Sequence, residues 1–331
     1  MKKTFSDKRI CILGDSITSH GFYIYDMRSF IRGATEKCTV YNRGTGGNRA
    51  DMAKAILDEE VFALSPEVCF VVFGVNDVGV WLYDVYKEET PSVLAEREAR
   101  NSRYFAAVKE TAALLKAKGV TPVISSPFCV NEMLTETPDV PTLADNKEKA
   151  LLIPPWFYKR ATFEKINGAL RGYAEKVKTF CGENGILFFD LFDKIYAAMK
   201  REEGLFREDG MHFTEKGHAR IAKEFLEYLG YENVPTEFKK DAFNDRIFQI
   251  EQEERGARFI TCNEFNPYNG AHTAGESPLL WAKDKILSED TPEWLKISCE
   301  MYLKHAGKES ELAKETILLT EKYVNGAPII K

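Results

Sequence analysis

Five short apolar runs recur before residue 190: Ile10–Leu13, Thr39–Tyr41, Val68–Phe73, Pro122–Ile124 and Ile186–Phe189. Each is nearly continuous rather than alternating, the pattern of strands buried on both faces of a parallel sheet. Between them, apolar residues recur at three- and four-residue steps, which predicts helices over 22–34, 49–58, 102–118 and 161–182. In the last of these, Phe163, Ile166, Leu170, Tyr173 and Val177 form one face. A further helix opens at Thr214, a good N-cap, buries Ile221, Phe225, Leu226 and Leu229, and stops at Gly230. Strands alternating with helices predict an α/β sheet covered on both faces.

The alternation ends near residue 232. Asn244–Gly256 is charged and amphipathic, and 262–277 is rich in Asn, Gly and Pro, hence loop. Ser277-Pro278 and Thr291-Pro292 each set an N-cap residue before a proline suited to the first helical position. They predict helices over 278–288 and 292–306, with another over 309–324. The chain thus divides into an α/β unit, 1–232, and a mostly helical extension, 233–331.

Composition narrows the function classes. Of 331 residues, 44% are hydrophobic and 29% charged, the profile of a globular protein, and the net charge of −6 offers no basic footprint for nucleic acid. No apolar run approaches the roughly 18 residues that span a bilayer, so membrane insertion is not expected. The opening MKKTFSDKRI has two lysines but no apolar stretch behind them, unlike a secretory signal. Seven scattered cysteines, with no CxxC, read as buried thiols of a cytoplasmic protein rather than as a zinc site. Self-association is left open.

Three strand ends carry unusual residues: Gly14-Asp15-Ser16, then Asn42-Arg43-Gly44-Thr45-Gly46-Gly47-Asn48, then Gly74-Val75-Asn76-Asp77. In an open parallel sheet, ligands bind at the carboxyl ends of strands, where the strand order reverses. Each motif alone has a plainer reading. The first is also a turn or helix cap, and the third a β-turn. The glycine-rich loop also suits a phosphate, as in flavodoxins, although there it follows the first strand. Asp209-Gly210-Met211-His212 sets an aspartate three residues before a histidine, close enough to bond one ring nitrogen and leave the other free for a proton. His218 has no such companion and reads as a surface helix residue. His20 reads as a helix-entry residue.

Together, GDSIT, NRGTGGN, GVND and DGMH resemble, in order and spacing, the four blocks of the SGNH or GDSL-type hydrolases. The resemblance covers about residues 8–230, with Ile17 where the family's nickname has leucine. It implies a three-layer α/β/α flavodoxin-like sandwich on a five-stranded parallel sheet, with the helical extension left unassigned. It also implies a serine ester hydrolase without metal or cofactor. Ser16 would be the nucleophile, His212 the base and then the acid, and Asp209 its orienting partner. The oxyanion donors would be the backbone N–H groups of Ser16 and Gly47 and the side chain of Asn76. The family's spacing from the strand-ending Asn42 selects Gly47 over Gly44 or Gly46.

For the substrate, the sequence offers aromatic residues at the expected strand ends and an insertion, 128–160, long enough to form a lid or pocket wall. Asp15, Trp81, Trp156 and Tyr268 are the candidate substrate contacts. Trp81 and Trp156 beside Asn, Arg and Asp favour a carbohydrate or other small ester, and the lack of an apolar lid helix in the sequence favours a small, acetyl-like acyl group over a lipid chain. A thioesterase, a lysophospholipase-type acyl hydrolase and a noncatalytic binding module on the same fold stand as alternatives.

Overall fold

The computed structural model describes residues 5, 7–33, 38–85, 88–133, 160–262, 282–283, 286–289, 293–305 and 307–324. Five parallel strands form one sheet in the order β2-β1-β3-β4-β5: β1 (Arg9–Gly14), β2 (Thr39–Gly44), β3 (Val68–Val72), β4 (Thr121–Ser125) and β5 (Leu187–Phe189). The near-continuous apolar runs have the predicted cause, since every residue of β3 is buried. The register sets Gly14 beside Gly44 on one side and Val72 on the other. The ends of β1, β2 and β3 therefore meet where the strand order reverses.

The helices of the α/β unit are α1 (Ser16–Ser19), α2 (Phe22–Gly33), α3 (Ala50–Glu60), α4 (Pro91–Ala117), α5 (Arg160–Glu183), α6 (Leu191–Met199) and α7 (Glu215–Leu229). With the sheet they build a three-layer α/β/α fold, α2 packing on α7 across one face and α3 and α5 on α4 across the other. Thr214 caps α7 by accepting from Gly217 N–H, and Gly230 ends the helix in the left-handed region, as its sequence predicts. Two boundaries differ. Helix α4 begins at Pro91 rather than near 102, because Thr90 accepts from Val93 N–H and Pro91 takes the first helical position, while its first turns carry too few apolar residues to signal a buried face. Helix α6, which sequence periodicity does not isolate, is started by the Asp190 carboxylate on Asp193 N–H.

Beyond residue 232 lie α8 (Ala242–Cys262), α9 (Glu293–His305) and α10 (Glu309–Val324). The predicted helix over 278–288 falls largely outside the described residues, as does most of the 128–160 insertion. Both α9 and α10 pack on α8, and α8 packs on α2. That contact is partly ionic. Arg28 of α2 and Glu251 of α8, each side chain 1% exposed, form a two-pronged pair at 2.9 and 2.6 Å, and Arg28 Nε also donates to Val40 O. Removing one member of such a pair strands the other charge out of water. Glu251→Ala is therefore expected to destabilise the fold by about 3–5 kcal/mol, read as a lower midpoint in urea. An unchanged midpoint would show that Arg28 finds another partner.

Candidate active site

The sequence Gly14-Asp15-Ser16 turns strand β1 straight into α1. A Cβ on Gly14 would come within 2.3 Å of Thr18 Oγ1 and 2.9 Å of Val72 O, so only glycine lets the turn close. The Asp15 carboxylate accepts from Ile17 N–H at 3.0 Å and caps the helix, leaving Ser16 as its first residue. Asp15 was expected among the substrate contacts. The residue is 2% exposed, and its carboxylate bonds its own helix. Burial lifts its carboxyl to about 6, against the lowering effect of the Ile17 bond and the nearby His212.

The second group comes from the loop before α7. Asp209 Oδ1 accepts from the backbone N–H groups of Met211 (2.9 Å) and His212 (2.8 Å), a turn that Gly210 permits with φ of 68°. Asp209 Oδ2 then lies 2.6 Å from His212 Nδ1, and His212 Nε2 lies 2.9 Å from Ser16 Oγ. Burial works against the Asp209 charge, but the bond and charge of His212 and the two backbone N–H groups outweigh it and hold the carboxyl down at about 2. Serine, imidazole and carboxylate thus form one hydrogen-bonded row across 196 residues of sequence.

Two further loops border it. Gly47, exposed and with φ of 77°, sits in the turn that follows β2. Asn76 Nδ2 donates to Asn48 O at 3.0 Å, bracing the loop after β3 against the loop after β2. Asp77, to which the sequence assigned no role, accepts from Ala50 N–H at 2.9 Å, anchoring the start of α3. Burial raises its carboxyl to about 7.

Two histidines lie behind His212. His20 closes α1, its ring 5.0 Å from that of His212. Burial, then the charges of His212 and Arg207, pull His20 down to about 3, so it is neutral at physiological pH. His218, expected on the surface, is 0% exposed, among Phe22, Tyr23 and Phe213. It shares the face of α7 that carries Ile221, Ala222 and Phe225, and that spacing was the available signal.

Trp81 stands on a 3-10 turn, Val80–Tyr83, 44% exposed, with the Arg100 guanidinium 4.6 Å from its ring centre. Trp156 and Tyr268 lie outside the described residues. Among the described residues, no group of three or more His, Cys, Asp or Glu is placed to hold a metal ion, and no helix is long and apolar enough to cross a membrane.

Residues 12–220 match the GDSL-like Lipase/Acylhydrolase family. No curated protein matches the chain. Among solved structures, the chain is similar to BT4096, a gut microbial diltiazem-metabolizing enzyme, with a TM-score of 0.67 at 15% identity over 98% of this chain and 95% of that one. This likeness of fold runs on through the C-terminal helices, which the family match does not reach. The acetylxylan esterase Axe2 from Geobacillus stearothermophilus aligns with 72% of this chain over 100% of its own, at 20% identity and a TM-score of 0.48. The family match spans more than half of the chain and all four motifs, and the chain belongs to the GDSL-like lipase/acylhydrolase family, as a carboxylic ester hydrolase on a three-layer α/β/α fold.

Proposed function

We propose that Ser16, His212 and Asp209 carry out this hydrolysis, and that the substrate is a small acyl ester, an acetyl-like group on a carbohydrate or similar alcohol. The observation that carries the catalytic assignment is the unbroken row Ser16 Oγ–His212–Asp209. A serine hydroxyl becomes a competent nucleophile when a neighbouring base removes its proton. His212 Nε2 is within bonding distance to do so, and Asp209 on Nδ1 selects the tautomer with Nε2 free. Attack on the carbonyl carbon puts negative charge on its oxygen. The Ser16 and Gly47 N–H groups and the Asn76 amide are the donors assigned to it, each such donor typically contributing about 10²–10³ in kcat. His212 then returns its proton to the departing alcohol. Water, activated by the same imidazole, releases the acyl group from Ser16.

Catalysis belongs to residues 1–232 on this reading, with 233–331 as a helical extension. The exposed ring of Trp81 beside the loop of Asn76 supports a sugar-like alcohol, since such rings stack on pyranoses through their apolar faces. Burial of the Cys11, Cys69, Cys129 and Cys181 thiols supports a reducing, cytoplasmic setting. The substrate reading is tested by p-nitrophenyl esters of increasing acyl length. The acetyl ester is expected to give the highest kcat/KM, with a decline toward octanoyl. A rise with chain length would replace the small-acyl reading with a lysophospholipase-like one.

A further inference from the structure

The extension outside the family match reaches two of the loops that frame the row. Helix α8 lies over both. Near its middle, Gln252 Nε2 donates to the carbonyls of Ser19 (3.3 Å) and His20 (3.4 Å), the last turn of the helix that Ser16 begins. One turn on, Arg255 Nη1 donates to Gly44 O (3.2 Å), the final carbonyl of β2, just before the loop of Gly47.

Arg255 is held in a network of four charges. Its Nη1 also meets Glu60 Oε2 at 3.2 Å and its Nη2 meets Glu254 Oε1 at 3.1 Å, while Arg43 Nη1 donates to the same Glu254 oxygen at 3.0 Å. Two arginines balance two glutamates, all of them buried. Arg43 and Gly44 end the strand that enters the loop, and Glu60 ends the helix that leaves it. The two loops also touch each other, since a Cβ on Gly44 would lie 2.2 Å from Ser19 N.

We propose that α8 is a positioning element for the active site, in which Gln252 fixes the turn carrying Ser16 and Arg255 fixes the loop carrying Gly47. This rests on the assignment of Ser16 as the nucleophile. Among the described residues, the hydrogen bonds of Gln252 and Arg255 go to Ser19, His20, Gly44, Glu60 and Glu254, not to Ser16, His212 or Asp209. Their effect is therefore geometric. Reacting groups displaced by about 1 Å can lose on the order of 10² in rate.

The test uses the full chain and a small alkyl p-nitrophenyl phosphonate, which phosphonylates an activated serine with loss of p-nitrophenolate. Mass spectrometry locates the label and its time course gives the rate. Gln252→Met keeps the length of the side chain and removes the donor. Arg255→Lys keeps the charge and removes the planar fork, and Arg255→Met removes both. Wild type is expected to label fully at Ser16. Gln252→Met is expected to reach the same end point about tenfold more slowly, with kcat for the acetyl ester reduced in step and KM within about twofold. Arg255→Lys should lie between wild type and Arg255→Met. A lower end point at an unchanged rate per labelled site would mean that α8 only stabilises the fold, and equal rates in wild type and Gln252→Met would equally overturn the proposal. These outcomes do not depend on whether the Arg255 variants fold. Wild type that takes no label at Ser16 would instead overturn the nucleophile assignment, and this inference with it.

Discussion

Ser16→Ala is expected to lower kcat for p-nitrophenyl acetate on the order of 10⁶-fold, with little change in melting temperature. The side chain loses one oxygen at a half-buried position where its hydrogen bond is to His212. The Asp15 cap on Ile17 N–H and the contact of Gly14 with Thr18 do not involve it, so α1 keeps its shape. What remains is the proposed oxyanion site and an imidazole with no nucleophile between them, enough only for slow attack by water. Steady-state release of p-nitrophenolate measures it. If the variant keeps more than about 1% of wild-type kcat, nucleophilic catalysis by Ser16 is excluded, because loss of a triad serine is far more costly than that.

Asp209→Asn is expected to cost about 10⁴ in kcat while leaving the loop intact. The asparagine oxygen can still accept from Met211 and His212 N–H. Its amide, however, presents N–H groups to His212 Nδ1, which must then accept. The ring proton moves to Nε2, and that nitrogen can no longer take the proton of Ser16. The pH dependence separates the two carboxylate effects. The Asp209 carboxyl is depressed to about 2 in the fold. Its contribution to stability is therefore fully present above the ordinary carboxylate range and is lost as pH falls through about 2. It stays ionised wherever the enzyme works. The stability gap between wild type and Asp209→Asn should close as pH drops from about 4 toward 2. A variant that keeps wild-type kcat would remove Asp209 from the mechanism.

Much of this was legible in the chain because the signals are local. An apolar run that ends in Gly-Asp-Ser says where a strand stops and what it presents, and Asp209 lies three residues from the histidine it bonds. What was not legible depends on partners far away in sequence. Asp15 caps α1, one of the plainer readings its motif allowed, but only the fold shows that Asp77 anchors the start of α3. His218 has the residue type of a surface position and the spacing of a core one, and packing favoured the spacing. In α8, Glu251, Glu254 and Arg255 belong to a stretch legible only as charged and amphipathic. They point inward because Arg28, Arg43 and Glu60, some 200 residues earlier, supply the opposite charges.

The arginines of α2 and β2 have a consequence for how such chains diverge. Arg28 is buried on the α/β unit but matched by Glu251 of α8, whereas Arg43 has Glu254 of α8 and also Glu60 of its own unit. Neither half of that arrangement can be exchanged alone without leaving an uncompensated charge in the interior. Across relatives, position 28 should therefore change together with 251, and position 43 with 60 and 254. A relative that ends after α7 should carry a neutral side chain where this one has Arg28, so that position would record which members of the family have an extension of this kind.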